Sequence, residues 1–263
     1  MKSQSILTTS ILTLAALTLV VCPATAATTA YTAGDLFVGF RKTGATSDYL
    51  VDLGQVSQFR DATSGFTLSI AGINTDLTSL FGAGWKTDPT VFWGLVATSG
   101  VTAAGGDAAN VLYASKPQDP FGTIGTAYLR DSSSSQGNVR SAISTLGTTY
   151  GLQGSTANNP VGIVQSSSDS ASWAAFNPGG GLSFSYFDGL EGNFGNGTAG
   201  TTLDLFRMAP QTPATGVPGS YEGSFSIDNA GMLNFSIPEP SSALLIGLGA
   251  GLLGLRRRRA TAA

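Results

Sequence analysis

The sequence predicts a mainly β protein: a single β-sandwich-like domain with a few short helices, set between an N-terminal signal helix and a C-terminal transmembrane helix. Three observations support this prediction. Glycine is abundant, at 35 of 263 residues, and charged side chains make up only 11% of the chain. Short apolar runs are separated by Gly, Ser, Thr and Asn, as in proteins with many strands and turns. The length between the two terminal apolar segments suits one domain with a sizeable core.

The first half of the chain carries mostly strand signals. Two apolar runs joined by Lys-Thr-Gly-Ala-Thr predict an antiparallel pair, and a later, almost continuous apolar run predicts a strand buried on both faces. The expected strands are Gly34–Arg41, Ser47–Leu53, Phe66–Ile70, Thr90–Thr98 and Val111–Ser115. Before the fourth of these, Asn74 is expected to cap a short helix that has Leu77, Leu80 and Phe81 on one face. Gly82 is expected to end that helix.

The second half begins with a longer helix and ends with strands. Val139, Ile143 and Leu146 are spaced for one buried face of a helix over Gln136–Tyr150. The polar stretch Ser155–Gly181 is expected to be mostly loop, with one short helix. Alternating runs follow, and the last two are expected to form a hairpin across an Asp-Asn-Ala-Gly turn. These expected strands are Leu182–Phe187, Thr201–Arg207, Tyr221–Ile227 and Met232–Ile237.

The N-terminal segment, residues 1–26, has the features of a secretory signal peptide. Lys2 precedes an apolar run that ends at Val21, and Ala24 and Ala26 form an Ala-x-Ala cleavage site. We expect cleavage after Ala26. The single cysteine, Cys22, leaves with this segment, so the exported domain is expected to contain neither a disulfide nor a thiolate metal site.

The C-terminal segment, residues 238–263, combines three features in order. It begins with Pro238, Glu239 and Pro240, and the prolines interrupt any strand or helix that leads into it. Residues 243–255 contain no polar side chain. A helix over residues 241–258 would be about 27 Å long at 1.5 Å per residue, close to the ~30 Å hydrocarbon core, which predicts a transmembrane helix. The cluster that closes it, expected on the cytoplasmic side, is Arg256, Arg257, Arg258 and Arg259.

This tail resembles the PEP-CTERM sorting signal of Gram-negative bacteria, which consists of a Pro-Glu-Pro motif, a short transmembrane helix and an arginine cluster. The resemblance implies that Pro238, Glu239 and Pro240 are the sorting motif and that the arginine cluster stops transfer at the membrane. It also implies cleavage near the motif by exosortase, a membrane enzyme, and delivery to the cell envelope or the extracellular biofilm matrix. An ordinary C-terminal membrane anchor is the alternative.

The expected exported domain, residues 27–237, is acidic. Without Lys2 and the four terminal arginines, 8 of the 13 Lys and Arg residues remain, and without Glu239, 15 of the 16 acidic residues remain. The resulting net charge of −7 argues against nucleic acid or an anionic membrane surface as a partner of this domain. Extracellular polysaccharide stays open as a partner.

Signatures of catalysis are scarce in this sequence. The absence of histidine excludes Ser-His-Asp and Cys-His nucleophile systems and imidazole metal sites. Asp188 and Glu191 are an acidic pair in a turn-rich loop that could serve glycoside hydrolysis or calcium binding, although acidic turn residues are usually only solvated. Trp85 and Trp173 lie beside loops, where an indole could stack on a sugar, whereas Trp93 is expected in the core.

We therefore expect a non-enzymatic, exported envelope or matrix protein with no catalytic residue, no metal and no cofactor. A secreted carbohydrate-binding module or adhesin is the first alternative, and it would need aromatic side chains exposed along one sheet face. A glycan-processing enzyme is the second alternative, and it would need two carboxylates roughly 5–10 Å apart in a cleft.

Overall fold

The part of the chain that the structure describes is mainly β. This computed structural model describes residues 29–63, 66, 68, 70–118, 120–176, 187, 189–195, 201–211 and 216–237. Its strands are β1 (Asp35–Lys42), β2 (Ser47–Gln55), β3 (Val91–Thr98), β4 (Leu112–Pro117), β5 (Gly162–Ser166), β6 (Gly192–Asn193), β7 (Thr202–Met208), β8 (Ser220–Ile227) and β9 (Leu233–Ser236). Its helices are α1 (Ser57–Arg60), α2 (Ile73–Phe81), α3 (Ser133–Tyr150), α4 (Trp173–Phe176) and a 3-10 helix (Trp85–Thr87).

The described strands form one antiparallel sheet. Its strand order is β5-β2-β1-β3-β4-β7-β8-β9, and the short β6 pairs with the first half of β3. The mainly β class with a few short helices is therefore confirmed. The predicted sandwich of two sheets is not formed. Every strand pairs with the next in this order, so the strands make one curled sheet that does not divide into two.

One face of the curled sheet encloses the larger core. Its buried side chains come from most strands between β1 and β9 and from α1 and α2. Phe59 on α1, the helix that directly follows β2, has its ring centroid 5.1 Å from those of both Phe225 and Phe235. Strands that are far apart in the sheet order therefore share one buried cluster, which requires the curl.

The other face packs against α3 and α4. Phe37 of β1 faces this second core, whereas its neighbours Leu36 and Val38 face the first. The side chains that helical spacing predicted for the buried face of α3 all lie in the second core, which confirms that prediction. The central strands are thus buried on both faces, which accounts for their nearly continuous apolar runs.

Several predicted elements differ in the structure. The stretch expected to be loop contains the expected short helix, α4, but also β5, which pairs with residues 47–51 of β2. Phe66, Leu68 and Ile70 lie outside the strands and instead pack, partly buried, against the first core. Residues 67, 69 and 182–186, which complete two of the expected strands, lie outside the described residues.

Both predicted helices are present, and each begins earlier than expected. The residue that precedes α2 is Gly72, with φ of 87°, so Asn74 lies inside the helix and does not cap it. Gly82 ends α2 as predicted, with φ of 93°. α3 begins at Ser133 because the side chain of Ser132 accepts a hydrogen bond from the amide of Ser135, which satisfies one of the free donors at the helix start.

The predicted closing hairpin is confirmed as β8 and β9. The pairing runs from Ser224 opposite Ser236 to Ile227 opposite Leu233. Gly231 ends the turn with φ of 78°, a conformation that glycine adopts readily.

One side chain of β8 lies on an unexpected face. Strict alternation predicts that Tyr221 and Phe225 face the same core. A register shift between Leu205 and Phe206 of the neighbouring β7 breaks that alternation. Tyr221 consequently packs beside Phe206 in the second core, with ring centroids 5.9 Å apart.

The two terminal segments of the prediction lie beyond the part of the chain that the structure describes. Among the residues that the structure describes, no helix combines the length and the hydropathy needed to cross a bilayer. The expected signal helix (residues 1–26) and transmembrane helix (within residues 238–263) lie outside the described residues.

Candidate functional site

All three tryptophans are buried, so none is placed to stack on a sugar ring. Trp93 lies in the first core, as predicted. Trp85, expected beside an open loop, is enclosed by Phe40 and Phe194, whose ring centroids lie 6.5 Å and 5.0 Å from its own. Trp173, also expected beside a loop, lies in the second core. The aromatic platform that a carbohydrate-binding face would need is therefore not formed by these indoles.

The indole of Trp173 packs over two glycines of the sheet. Gly39 of β1 and Gly94 of β3 are partners across the sheet, and a Cβ on either residue would meet the indole, at 3.2 Å in the case of Gly94. Glycine inside a strand often marks such a close approach. The sequence carries this signal in the glycines that interrupt two apolar runs, but it does not identify the residue that approaches them.

Glu191 is buried in an ion pair and is not an exposed loop residue. One of its oxygens accepts hydrogen bonds from Arg41 Nε at 2.9 Å and from Trp173 Nε1 at 2.8 Å, and the other also accepts from Arg41. The side chains of Arg41 and Glu191 are only 11% and 6% exposed. Burial raises the pKa of Glu191, whereas the hydrogen bond and charge of Arg41 lower it. Both oxygens of Glu191 therefore anchor the loop before β6. Asp188, the expected acidic partner of Glu191, lies outside the described residues.

A second buried carboxylate, Asp107, collects three donors from separate parts of the fold. It accepts hydrogen bonds from the Tyr113 hydroxyl at 2.6 Å and from Arg207 Nε at 2.8 Å, and its ion pair with Arg60 measures 3.0 Å. Burial and the hydrogen bond to Asp107 raise the pKa of Tyr113. This cluster fixes the orientation of Arg207 at the sheet surface.

Asp52 of β2 lies near a second aspartate, Asp35 of the adjacent strand β1. Burial raises the pKa of Asp52 to about 7, and the negative charge of Asp35 adds to the shift. Asp35 accepts hydrogen bonds from the Thr32 amide at 2.6 Å and from the side chain of Gln55 at 2.5 Å, and Asp52 accepts one from the Gly54 amide at 2.7 Å. Each of these bonds closes a turn or links β1 to β2, so we interpret the pair as structural, although raised carboxyl pKa values also occur at acid-base sites.

A cavity of about 250 Å³ opens between the end of β7, the start of β8 and the segment before α3. Its lining consists of Arg130, Arg207, Ala209, Pro218, Gly219 and Ser220. Two arginines thus line one small space on an acidic domain. Sequence analysis did not single out either arginine, because they are 77 positions apart and only the sheet brings them together.

The sorting tail continues directly from an edge strand of the sheet. Ser236 is the last residue of β9 and pairs with Ser224, and Ile237 packs partly buried against the first core. The residues predicted to take part in sorting and signal cleavage all lie outside the described residues. They are Ala24, Ala26, Pro238, Glu239, Pro240, Arg256, Arg257, Arg258 and Arg259.

Comparison with known families assigns this tail. Residues 236–259 match the family model of the PEP-CTERM protein-sorting motif. The chain carries a PEP-CTERM sorting motif. The match begins on the last residue of β9 and ends on the fourth arginine of the terminal cluster. The resemblance to the PEP-CTERM sorting signal is therefore confirmed, and the match is consistent with an exosortase substrate.

The PEP-CTERM motif implies export, sorting to the cell envelope and processing by exosortase. It covers only the C-terminal part of the chain, so it assigns no activity to the sheet domain. No curated protein and no solved structure matches this chain. Among the described residues, no group of three or more His, Cys, Asp or Glu side chains is arranged to hold a metal ion.

Proposed function

We propose that this protein is a non-enzymatic component of the cell envelope or extracellular matrix. In this proposal the precursor is held in the membrane by its C-terminal helix, and exosortase separates the folded domain, residues 27–237, from that helix. The PEP-CTERM match at residues 236–259 is the observation that carries the proposal. The transmembrane anchoring, the matrix destination and the signal peptide over residues 1–26 are parts of the proposal.

The bonding of the carboxylates supports a non-enzymatic role. A glycoside hydrolase needs one carboxyl group as an acid and a second as a base or nucleophile, both facing the substrate. Glu191 is instead neutralised by Arg41, and Asp107 by two arginines. Asp204, a third buried carboxylate, accepts from Gln118 at 2.7 Å and from the Gly125 amide at 2.7 Å. These acids stabilise the fold through the bonds that would otherwise be available to a substrate.

The sorting step can be tested by replacing Pro238, Glu239 and Pro240 with alanine in the native host. We expect the uncleaved precursor to accumulate in the membrane fraction. A matched control replaces three exposed loop residues, Phe121–Thr123, with alanine and should be processed normally. Release of the motif variant at the normal rate would contradict the proposal.

Mass spectrometry of the naturally released protein provides a second test. We expect the mature product to lack residues 1–26 and the four terminal arginines. A released product that still carries the apolar run over residues 243–255 would show that exosortase does not separate the domain from its anchor.

Carbohydrate binding is a second candidate function, and the arginine-lined cavity favours it. Arg130 presents a planar donor group that suits a carboxylated or sulfated glycan, whereas the guanidinium group of Arg207 is already bonded to Asp107. A glycan array probed with the full chain in neutral detergent tests this candidate. Absence of binding to any glycan would leave the envelope role without a carbohydrate ligand.

A further inference from the structure

We infer that the cavity between β7, β8 and Arg130 binds the carboxylate of an acidic sugar unit, such as a uronic acid. The inference rests on the proposed carbohydrate-binding function and names the ligand class and the residue that recognises it. Arg130 and Arg207 line a space of about 250 Å³. That volume lies below the ~300–1,000 Å³ typical of sites for drug-sized ligands, so it suits a single sugar unit.

Arg130 is held at the cavity by bonds that leave the outer part of its guanidinium group available. Its Nε donates to the Ala209 carbonyl at 2.7 Å, and its backbone amide donates to the Val217 carbonyl at 2.8 Å. Among the described residues, Arg130 forms no ion pair with an acidic side chain. The two terminal nitrogens can therefore form the paired hydrogen bonds that guanidinium makes with a carboxylate.

The charges around Arg207 make Arg130 the cation that decides binding. Arg207 and Arg60 share Asp107, and Glu222 adds a second negative charge in the same surroundings. The two positive charges of these arginines and the two negative charges of these acids cancel. Asp61, the further partner of Arg60, is 62% exposed and is screened by water. The positive charge that remains at the cavity is that of Arg130.

The surroundings of the cavity also suit a sugar ring. Ala209 and Pro218 contribute apolar lining. Leu129 and Val217, which adjoin Arg130 and Pro218 in the chain, are 55% and 39% exposed. Apolar side chains beside a charged donor match a pyranose, whose C–H face is apolar and whose carboxylate is charged. The net charge of −7 on the domain repels acidic polymers in general, so binding of one would depend on such a local site.

The test is a saturation-transfer NMR titration of the full chain in neutral detergent, with galacturonate as the probe and galactose as the neutral comparison. We expect galacturonate to bind and galactose to bind at least about tenfold more weakly, since galactose lacks the charge-assisted bonds. Arg130→Ala should weaken galacturonate binding about tenfold, and Arg130→Lys should restore only part of it, because lysine keeps the charge but lacks the planar fork.

The matched control is Arg140→Ala, which removes an arginine from the exposed side of α3 and should leave binding unchanged. Thermal unfolding followed by circular dichroism checks that Arg130→Ala remains folded. Equal binding of galactose and galacturonate, or unchanged binding in Arg130→Ala, would overturn the inference. If the array finds neutral glycans while galacturonate fails to bind, the cavity inference fails and the carbohydrate-binding function stands. If no glycan of the array binds and galacturonate does not bind either, the cavity inference and the carbohydrate-binding function both fail.

Discussion

At the scale of single residues, buried charges are the features whose roles are best defined by this structure. Arg41 and Glu191 lie 150 positions apart in the chain and form a two-oxygen ion pair beneath the surface. The Arg41 guanidinium also lies 4.4 Å from the centre of the Phe92 ring, where the ring face attracts a cation. Removing one partner of a buried pair leaves the other charge without compensation, which costs far more than the net contribution of the intact pair.

Glu191→Ala should therefore destabilise the fold by about 3–5 kcal/mol, because it leaves Arg41 buried and unpaired. The measurement is urea denaturation of the full chain in neutral detergent at pH 7. The matched control is Glu222→Ala, which removes a partly exposed glutamate and should cost less than about 1 kcal/mol. Similar losses in the two variants would contradict the structural role of the Arg41 pair.

Asp52 should make stability depend on pH near neutrality. Burial raises its pKa to about 7, and the charge of Asp35 acts in the same direction. Tyr31 and Tyr150 lie in the same surroundings, and burial raises the pKa of each of them as well. The folded state therefore favours the protonated acid. The resulting stabilisation is complete at pH values below about 4, the pKa of an aspartate in the unfolded chain. It is lost as pH rises through about 7, the pKa of Asp52 in the folded protein.

The free energy of unfolding is expected to fall between pH 4 and 7. Asp52→Asn should reduce the slope of this fall by up to about 1.4 kcal/mol per pH unit. Asp48, whose pKa burial raises to about 6, retains its own smaller contribution to the decline. Asp228→Asn is the control, because backbone hydrogen bonds lower the pKa of this turn residue and its contribution disappears only as pH falls below about 4. An unchanged profile in Asp52→Asn, measured by urea denaturation at each pH, would contradict this assignment.

At the scale of elements, the packing of α3 against the sheet depends on one glycine, Gly147. Gly147 lies where a Cβ would come within 2.5 Å of the Tyr31 ring, whereas a Cβ at Gly137 of the same helix would meet nothing within 4 Å. Tyr31 in turn contacts Phe37 of β1, with ring centroids 5.8 Å apart. The absence of a side chain at Gly147 therefore allows Tyr31 to pack between α3 and β1.

Gly147→Ala should destabilise the protein by about 1–3 kcal/mol, because displacement of Tyr31 outweighs the better helix propensity of alanine. Gly137→Ala is the matched control and should stabilise it by about 0.5–1 kcal/mol, since alanine adds helix propensity without a clash. Thermal unfolding followed by circular dichroism compares the two. Stabilisation by both substitutions would show that Tyr31 moves aside at little cost.

At the scale of the whole molecule, one sheet forms the boundary of two cores. Phe235 lies in the first core and Ile143 in the second, yet both cores include alternate side chains of β1, β2 and β3. Loss of either core exposes strands on which the other depends. The described part of the chain should therefore unfold as one cooperative unit.

Phe235→Ala and Ile143→Ala should each lower the unfolding free energy, by about 3–5 and about 2–5 kcal/mol. In both variants, urea midpoints measured by tryptophan fluorescence and by far-ultraviolet circular dichroism should coincide. Separate midpoints in either variant would indicate that the two cores unfold independently.

The sequence by itself determined the sorting tail, most of the strands, the longer helix and the closing hairpin. Those features depend on residues that are close together in the chain, through apolar periodicity, turn glycines or an ordered motif. Only the tertiary structure decided that the sheet is a single curled one, that Trp173 packs over Gly39 and Gly94, that Glu191 pairs with Arg41, and that Arg130 and Arg207 line one cavity. Each of these depends on contacts between segments distant in sequence, which are set by strand order and burial and which leave no local pattern.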